Sequence, residues 1–206
     1  MTTIFRQTQL YKFLNYCNTI EGIGKDVLDC GAGGNQPPLA LFAGCGYIPH
    51  GIEISDYQIE RAKKFGKEND IDLNIAKGDM RSLPFEDDSM SFVYSYNAIF
   101  HMTKADIEKS VTEIKRVLKP GGLCFINFLS HDNDEYGKGD KKGEGEFLQD
   151  EGDEKIIHSY HTEEETDALF SDMKILFKEN RILHRIFEGS IIKQGYIDYI
   201  AQKPEQ

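Results

Sequence analysis

The chain has 206 residues, with 24 lysines and arginines against 35 aspartates and glutamates, a formal charge of −11 and a pI near 5.0. That length suits one domain with a sizeable core, and the acidic balance works against a nucleic-acid or anionic-membrane partner. No apolar run approaches the roughly 20 residues that span a bilayer, and the opening MTTIFRQTQL lacks the apolar stretch of a secretory leader.

Cys17, Cys30, Cys45 and Cys124 are far apart, without CxxC or zinc spacing. The expectation is a single domain over 1–206 in the cytoplasm, monomer or homodimer, with reduced cysteines and no metal. In chain order, Ile4, Phe5, Leu10, Phe13, Leu14, Cys17 and Ile20 recur at helical spacing, predicting an amphipathic helix within 1–22. Val27 and Leu28 open a first strand, and a short helix fits Pro38 to Ala43, where proline suits the first turn. YIPHGIEIS is a second strand ending at Glu53 and Ile54. Ser55 with Gln58 has the spacing of a capping box for a helix Asp56 to Glu68. Leu73 to Lys77 and Phe92 to Tyr96 follow as strands. Thr103 is placed to cap a helix running to Lys119, which Pro120, Gly121 and Gly122 terminate before a fifth strand, Leu123 to Leu129.

Beyond this point the pattern changes. Residues 131–155 hold ten acidic residues, four lysines and several glycines but few apolar anchors, the composition of a mobile surface loop. The acidic run 150–154 reads most simply as solvated. Thr162 and Glu165 form a second capping box, opening a helix to Met173. KILFKENRILHRIF and KQGYIDYIAQK are two long strands around EGS. Strands alternating with helices predict an α/β, Rossmann-like, doubly wound and mostly parallel seven-stranded sheet, closed by an antiparallel C-terminal strand pair.

The chemistry concentrates at VLDCGAGGNQPP. Asp29 ends a buried strand, and Gly31, Gly33 and Gly34 remove side chains where backbone must turn or let a ligand lie close. A dinucleotide fingerprint G-x-G-x-x-G needs a third glycine or alanine, but that position is Gln36, which disfavours a nicotinamide oxidoreductase. Glu53, twenty-two residues after Gly31, stands where a ribose-binding acid belongs in such folds. Asp79 follows the third strand and can accept from an adenine amino group.

DCGAGGN resembles the D/E-x-G-x-G-x-G motif of class I S-adenosylmethionine-dependent methyltransferases of the type 11 kind. GDMRSLPFEDDSMSFVYS and RVLKPGGLCFINF are similar to the segments that follow it there, and the likeness covers roughly residues 25–130. The departure is Asn35 at the motif's third glycine, where asparagine's tolerance of left-handed geometry predicts an altered turn. The resemblance implies S-adenosylmethionine as cofactor. It implies Asp29 orienting the glycine loop and the methionine amino group, Gly31 and Gly33 admitting the cofactor, and Glu53, with Ile54 beside it, on the ribose. Asp79 and the Met80 backbone would hold adenine, and Asn97 would lie near the transferred methyl.

A small-molecule methyl acceptor is the expected partner, with His101 or Tyr96 as the candidate base because an amine or hydroxyl must lose a proton. His158, Tyr160 and His161 are candidates for the acceptor pocket. Residues 131–160 are expected to act as a lid leaving the carboxyl end of the fifth strand. A non-catalytic S-adenosylmethionine-binding protein on the same fold is the alternative function.

Overall fold

Alternating apolar residues on the central strands decide the layering. The computed structural model describes residues 8–152, 154–187 and 189–205. Along β4 (Met90–Ser95) and β5 (Leu118–Ser130), Phe92, Tyr94, Leu123 and Phe125 face one side, while Val93, Cys124, Ile126 and Phe128 face the other. The first side is covered by α1 (Thr8–Cys17), α2 (Leu39–Gly44) and Phe65 of α3 (Asp56–Asn69). The second is covered by Ile107, Val111, Ile114 and Val117 of α4 (Lys104–Val117), and by Phe170 just beyond α5 (Glu163–Leu169). Both faces being buried explains why β4 and β5 read as continuous apolar runs.

With β1 (Asp26–Cys30), β2 (Ile48–Glu53) and β3 (Ile75–Lys77), the strand path runs β3-β2-β1-β4-β5, all parallel. The long hairpin β9 (Lys174–Phe187) and β10 (Ser190–Gln202) extends it, β10 lying antiparallel to both β5 and β9. These seven strands make the expected doubly wound, mostly parallel arrangement with its antiparallel C-terminal pair, but the sheet does not stop at seven: three further strands, described below, bring it to ten among the described residues. Chain order reverses between β1 and β4, which opens a crevice at their carboxyl ends.

Caps fall where the side chains predicted them. The Ser55 hydroxyl accepts from Gln58 N, but the box expected there closes on one side only, since Ser55 N donates to Glu53 Oε1. The Thr103 hydroxyl accepts from Asp106 N, and Thr162 and Glu165 form the full reciprocal box. Several boundaries differ: β4 runs Met90–Ser95 rather than Phe92 to Tyr96, and β10 begins at Ser190. α4 stops at Val117 and β5 begins at Leu118, ahead of the Pro-Gly-Gly turn; β3 begins at Ile75; and α5 ends at Leu169 rather than Met173. Ile4 and Phe5 lie outside the described residues.

The largest correction concerns 131–161. Instead of an irregular loop, it folds as an antiparallel meander of β6 (Asp140–Gly143), β7 (Glu146–Glu151) and β8 (Glu154–His161). β8 then joins β5 in parallel beyond the end of β4, at Leu129–Tyr160 and Ser130–His161. Ser159 also ties to the loop after β4, its N–H donating to Phe100 O at 3.0 Å and its hydroxyl to Met102 O at 2.6 Å. Phe147 and Tyr160 bury a small core with Phe100, Leu129 and Tyr196. The glycines that suggested a mobile loop permit close strand approach: a Cβ on Gly139 would lie 2.3 Å from Leu148 O, and one on Gly145 2.5 Å from Tyr160 O.

Candidate cofactor and acceptor site

A cavity of about 550 Å³ occupies the crevice at the carboxyl ends of β1, β2 and β4. Its floor is the glycine turn. Gly31 N and Ala32 N both donate to Ile52 O, at 2.8 and 3.1 Å, which pins the turn against β2. Gly31 is left-handed at φ 104°, and a Cβ there would stand 2.4 Å from the Ala98 Cβ. At Gly33 a Cβ would fall 2.5 Å from Gln58 Cβ and 2.8 Å from Glu53 Oε2. The second left-handed position is Gly34, at φ 99°, rather than Asn35.

Glu53 ends β2 on the cavity wall beside Ile54. Its Oε1 accepts from Ser55 N at 2.9 Å, and its Oε2 faces Gly33. Asp79 and Met80 line the next stretch. Arg81 grips the Asp79 carboxylate through its backbone N–H (2.9 Å), Nε (3.0 Å) and Nη2 (2.5 Å), and reaches Asp106 through Nη1 at 3.0 Å. That guanidinium holds the Asp79 carboxyl below its ordinary range. Asn97 lines the cavity in a left-handed conformation, φ 55°, which costs backbone strain. Asn127, fully buried on β5, locks it: Asn97 N donates to Asn127 Oδ1 at 2.8 Å and Asn127 Nδ2 to Asn97 Oδ1 at 2.6 Å.

Asp29 lies beneath the turn instead of on the cavity wall. It is 2% exposed and accepts from Tyr94 Oη at 2.8 Å. Burial pushes its carboxyl up to about 8, with the Tyr94 bond opposing and the Glu53 charge adding to the rise. Of its two expected roles the structure displays the bracing one. Tyr96 is also off the wall, packed 6.1 Å from the Phe125 ring, and burial raises its hydroxyl pKa.

His101 does line the cavity, with Met102. Burial pushes its imidazole down to about 4, Glu151 opposing and His158 adding to the fall. The imidazole is therefore unprotonated at neutral pH, a weaker base than its ordinary titration promised. His158 meets the His101 ring edge-on, centroids 4.8 Å apart, while Tyr160 and His161 are buried elsewhere.

The acidic run 150–154 is not simply solvated, since Glu151 and Glu154 reach the cavity with Ile156. Nothing local in the sequence marked them, because a meander had first to fold the run over β4. Gln58 was legible only as a cap, and Asn127 only as a polar break in an apolar strand.

Residues 28–126 match the family described as a methyltransferase domain. This stretch is a class I S-adenosylmethionine-dependent methyltransferase domain. Among relatives of the methyltransferase domain, the sterol 24-C-methyltransferase of Pneumocystis carinii is 38% identical over 104 residues, 48% of this chain and 26% of its own. That of Debaryomyces hansenii is 32% identical over 161 residues, 71% of this chain and 42% of its own. The chain thus spans less than half the length of these curated relatives. A solved structure of an S-adenosylmethionine-dependent methyltransferase from Methanosarcina mazei shares the fold over 100% of both chains, with TM-score 0.74 at 23% identity.

Proposed function

We propose that the chain transfers a methyl group from S-adenosylmethionine to a small polar acceptor. The observation that carries this reading is the convergence of Gly31, Gly33, Glu53, Ile54, Asp79, Met80 and Asn97 on one cavity that continues to His101. Its donor set fits the cofactor. Glu53 offers an unshared oxygen for a ribose diol, and Asp79 with the Met80 backbone borders the adenine end.

When bound, S-adenosylmethionine supplies an electrophilic methyl on a sulfonium. The protein's own residues hold and orient. Asn97, fixed by Asn127, sets the wall near the reacting end, and the turn of the meander carries Glu151 and Glu154 over it, excluding water. Alignment of this kind supplies roughly 7–11 kcal/mol in favourable intramolecular cases. His101, unprotonated at neutral pH, takes the proton that an amine or hydroxyl acceptor sheds.

A sterol acceptor is the second reading, prompted by the relatives' names. It is weaker, because the stretch shared with the Pneumocystis enzyme leaves about half of this chain unmatched and the acceptor end here carries His101, Glu151 and Glu154. A cavity of about 550 Å³ must also hold the cofactor. Methyl transfer from labelled S-adenosylmethionine to a panel of small hydroxyl and amine acceptors, with a sterol arm, tests both. Turnover confined to the sterol arm would reverse their order. Cofactor binding with no turnover on any arm favours the non-catalytic alternative.

A further inference from the structure

We propose that His101, Glu151 and His158 form a binding site for one divalent first-row transition-metal ion at the acceptor end of the cavity. Three separate elements deliver the side chains: the loop after β4, the end of β7, and β8. Their ligand atoms all lie within 4.8 Å of one another. Glu151 Oε2 stands 3.8 Å from His101 Nε2 and 3.5 Å from His158 Nε2. Both separations exceed a good hydrogen bond, so, among the described residues, two imidazole nitrogens and a carboxylate oxygen able to donate electron pairs face a shared gap.

With metal–nitrogen and metal–oxygen bonds of about 2.0–2.2 Å, neighbouring ligand atoms sit about 3.0–3.5 Å apart. Glu151 and the two imidazoles therefore need only side-chain adjustment to close on an ion. Two imidazoles and one carboxylate are a donor set that suits iron(II), zinc or cobalt and leaves coordination positions open.

The open side has a purpose. His101 and Glu151 line the cavity, so the free positions of an ion held there face the place where the acceptor enters. An acceptor oxygen could bind the ion and be oriented toward the cofactor, and in the metal-loaded site the ion, which occupies the His101 electron pair, would make that oxygen more acidic in place of His101 acting as the base. That role rests on the methyltransferase reading above, whereas the site itself does not. The meander's part follows as well, because the ion would clamp its β7–β8 turn to the loop after β4.

The test uses the full chain stripped with a chelator and then dialysed against zinc or, as a spectroscopic probe, cobalt(II). Bound metal is counted, and the cobalt absorption bands report the ligands. Cys45, the exposed thiol, is controlled by Cys45→Ser. One ion per chain is expected in the wild type and in Cys45→Ser. Affinity should fall at least about tenfold in His158→Ala and in Glu151→Gln. Glu151 is half exposed at a turn, so its variant retains the fold even if the histidine variant does not. Substoichiometric uptake, or uptake that Glu151→Gln leaves unchanged, overturns the site. Titrating S-adenosylhomocysteine into the same metal-free protein keeps the readings apart. Binding of that ligand without metal uptake removes the metal site alone, and metal uptake without it contradicts only the cofactor reading.

Discussion

Replacing Glu53 with glutamine isolates one interaction at nearly constant volume. The amide oxygen of Glu53→Gln can keep the bond from Ser55 N, now 2.9 Å from Oε1. The other arm, facing Gly33, changes from a charged acceptor to a neutral donor. Among the described residues Oε2 has no hydrogen bond in the protein, so the change falls almost wholly on the ligand. Loss of a charge-assisted hydrogen bond costs about 1.5–3 kcal/mol, or about 10- to 150-fold in Kd. Calorimetric titration with S-adenosylhomocysteine reads this directly. Repeating it with the 2′-deoxy and 3′-deoxy analogues closes a double-difference cycle: wild type should discriminate against them, and Glu53→Gln should largely cease to. If the folded variant binds as tightly as wild type, or discriminates equally, Glu53 does not hold the ribose.

Gly33→Ala forces a methyl to within 2.5 Å of Gln58 Cβ and 2.8 Å of Glu53 Oε2. It should cost about 1–3 kcal/mol, divided between melting temperature and cofactor affinity, and a variant unchanged in both measurements would show that the turn has room. Asp29 has a folded-state pKa raised from 3.8 to about 8, so its contribution to stability is fully present below pH 4 and is lost as pH rises from about 4 to about 8. Asp29→Asn should abolish that part of the decline, on the order of a few kcal/mol. Parallel slopes for wild type and variant in denaturant midpoints between pH 5 and 8.5 would refute it. The meander carries Glu151 and Glu154 to the cavity, so hydrogen exchange in 146–161 should slow when S-adenosylhomocysteine and an acceptor bind. Unaltered exchange would deny it a closing role.

The parallel half of the fold was legible because its signals are local. Apolar strands end on glycine or an acid, and Ser55, Thr103 and Thr162 announce helices within three residues. The meander was not, since its alternation is interrupted by Gly139, Gly143 and Gly145, each needed where another backbone or side chain approaches. Asp29 was visible as a buried acid, but its partner depends on β1–β4 register, which sets Asp29 beside Tyr94. Likewise His101 was a visible candidate, while Glu151 and His158 reach it only through the pairing of β7 with β8.

The central claim is that the crevice between β1 and β4 holds S-adenosylmethionine through Glu53, the glycine turn and the Asp79–Met80 segment. A crystal structure of the chain with S-adenosylhomocysteine tests it most directly. The predicted result is ribose hydroxyls hydrogen-bonded to Glu53, adenine beside Asp79 and Met80, and the sulfur directed toward Asn97 and His101. A ligand bound elsewhere on the chain, or an empty crevice at saturating ligand, would contradict it.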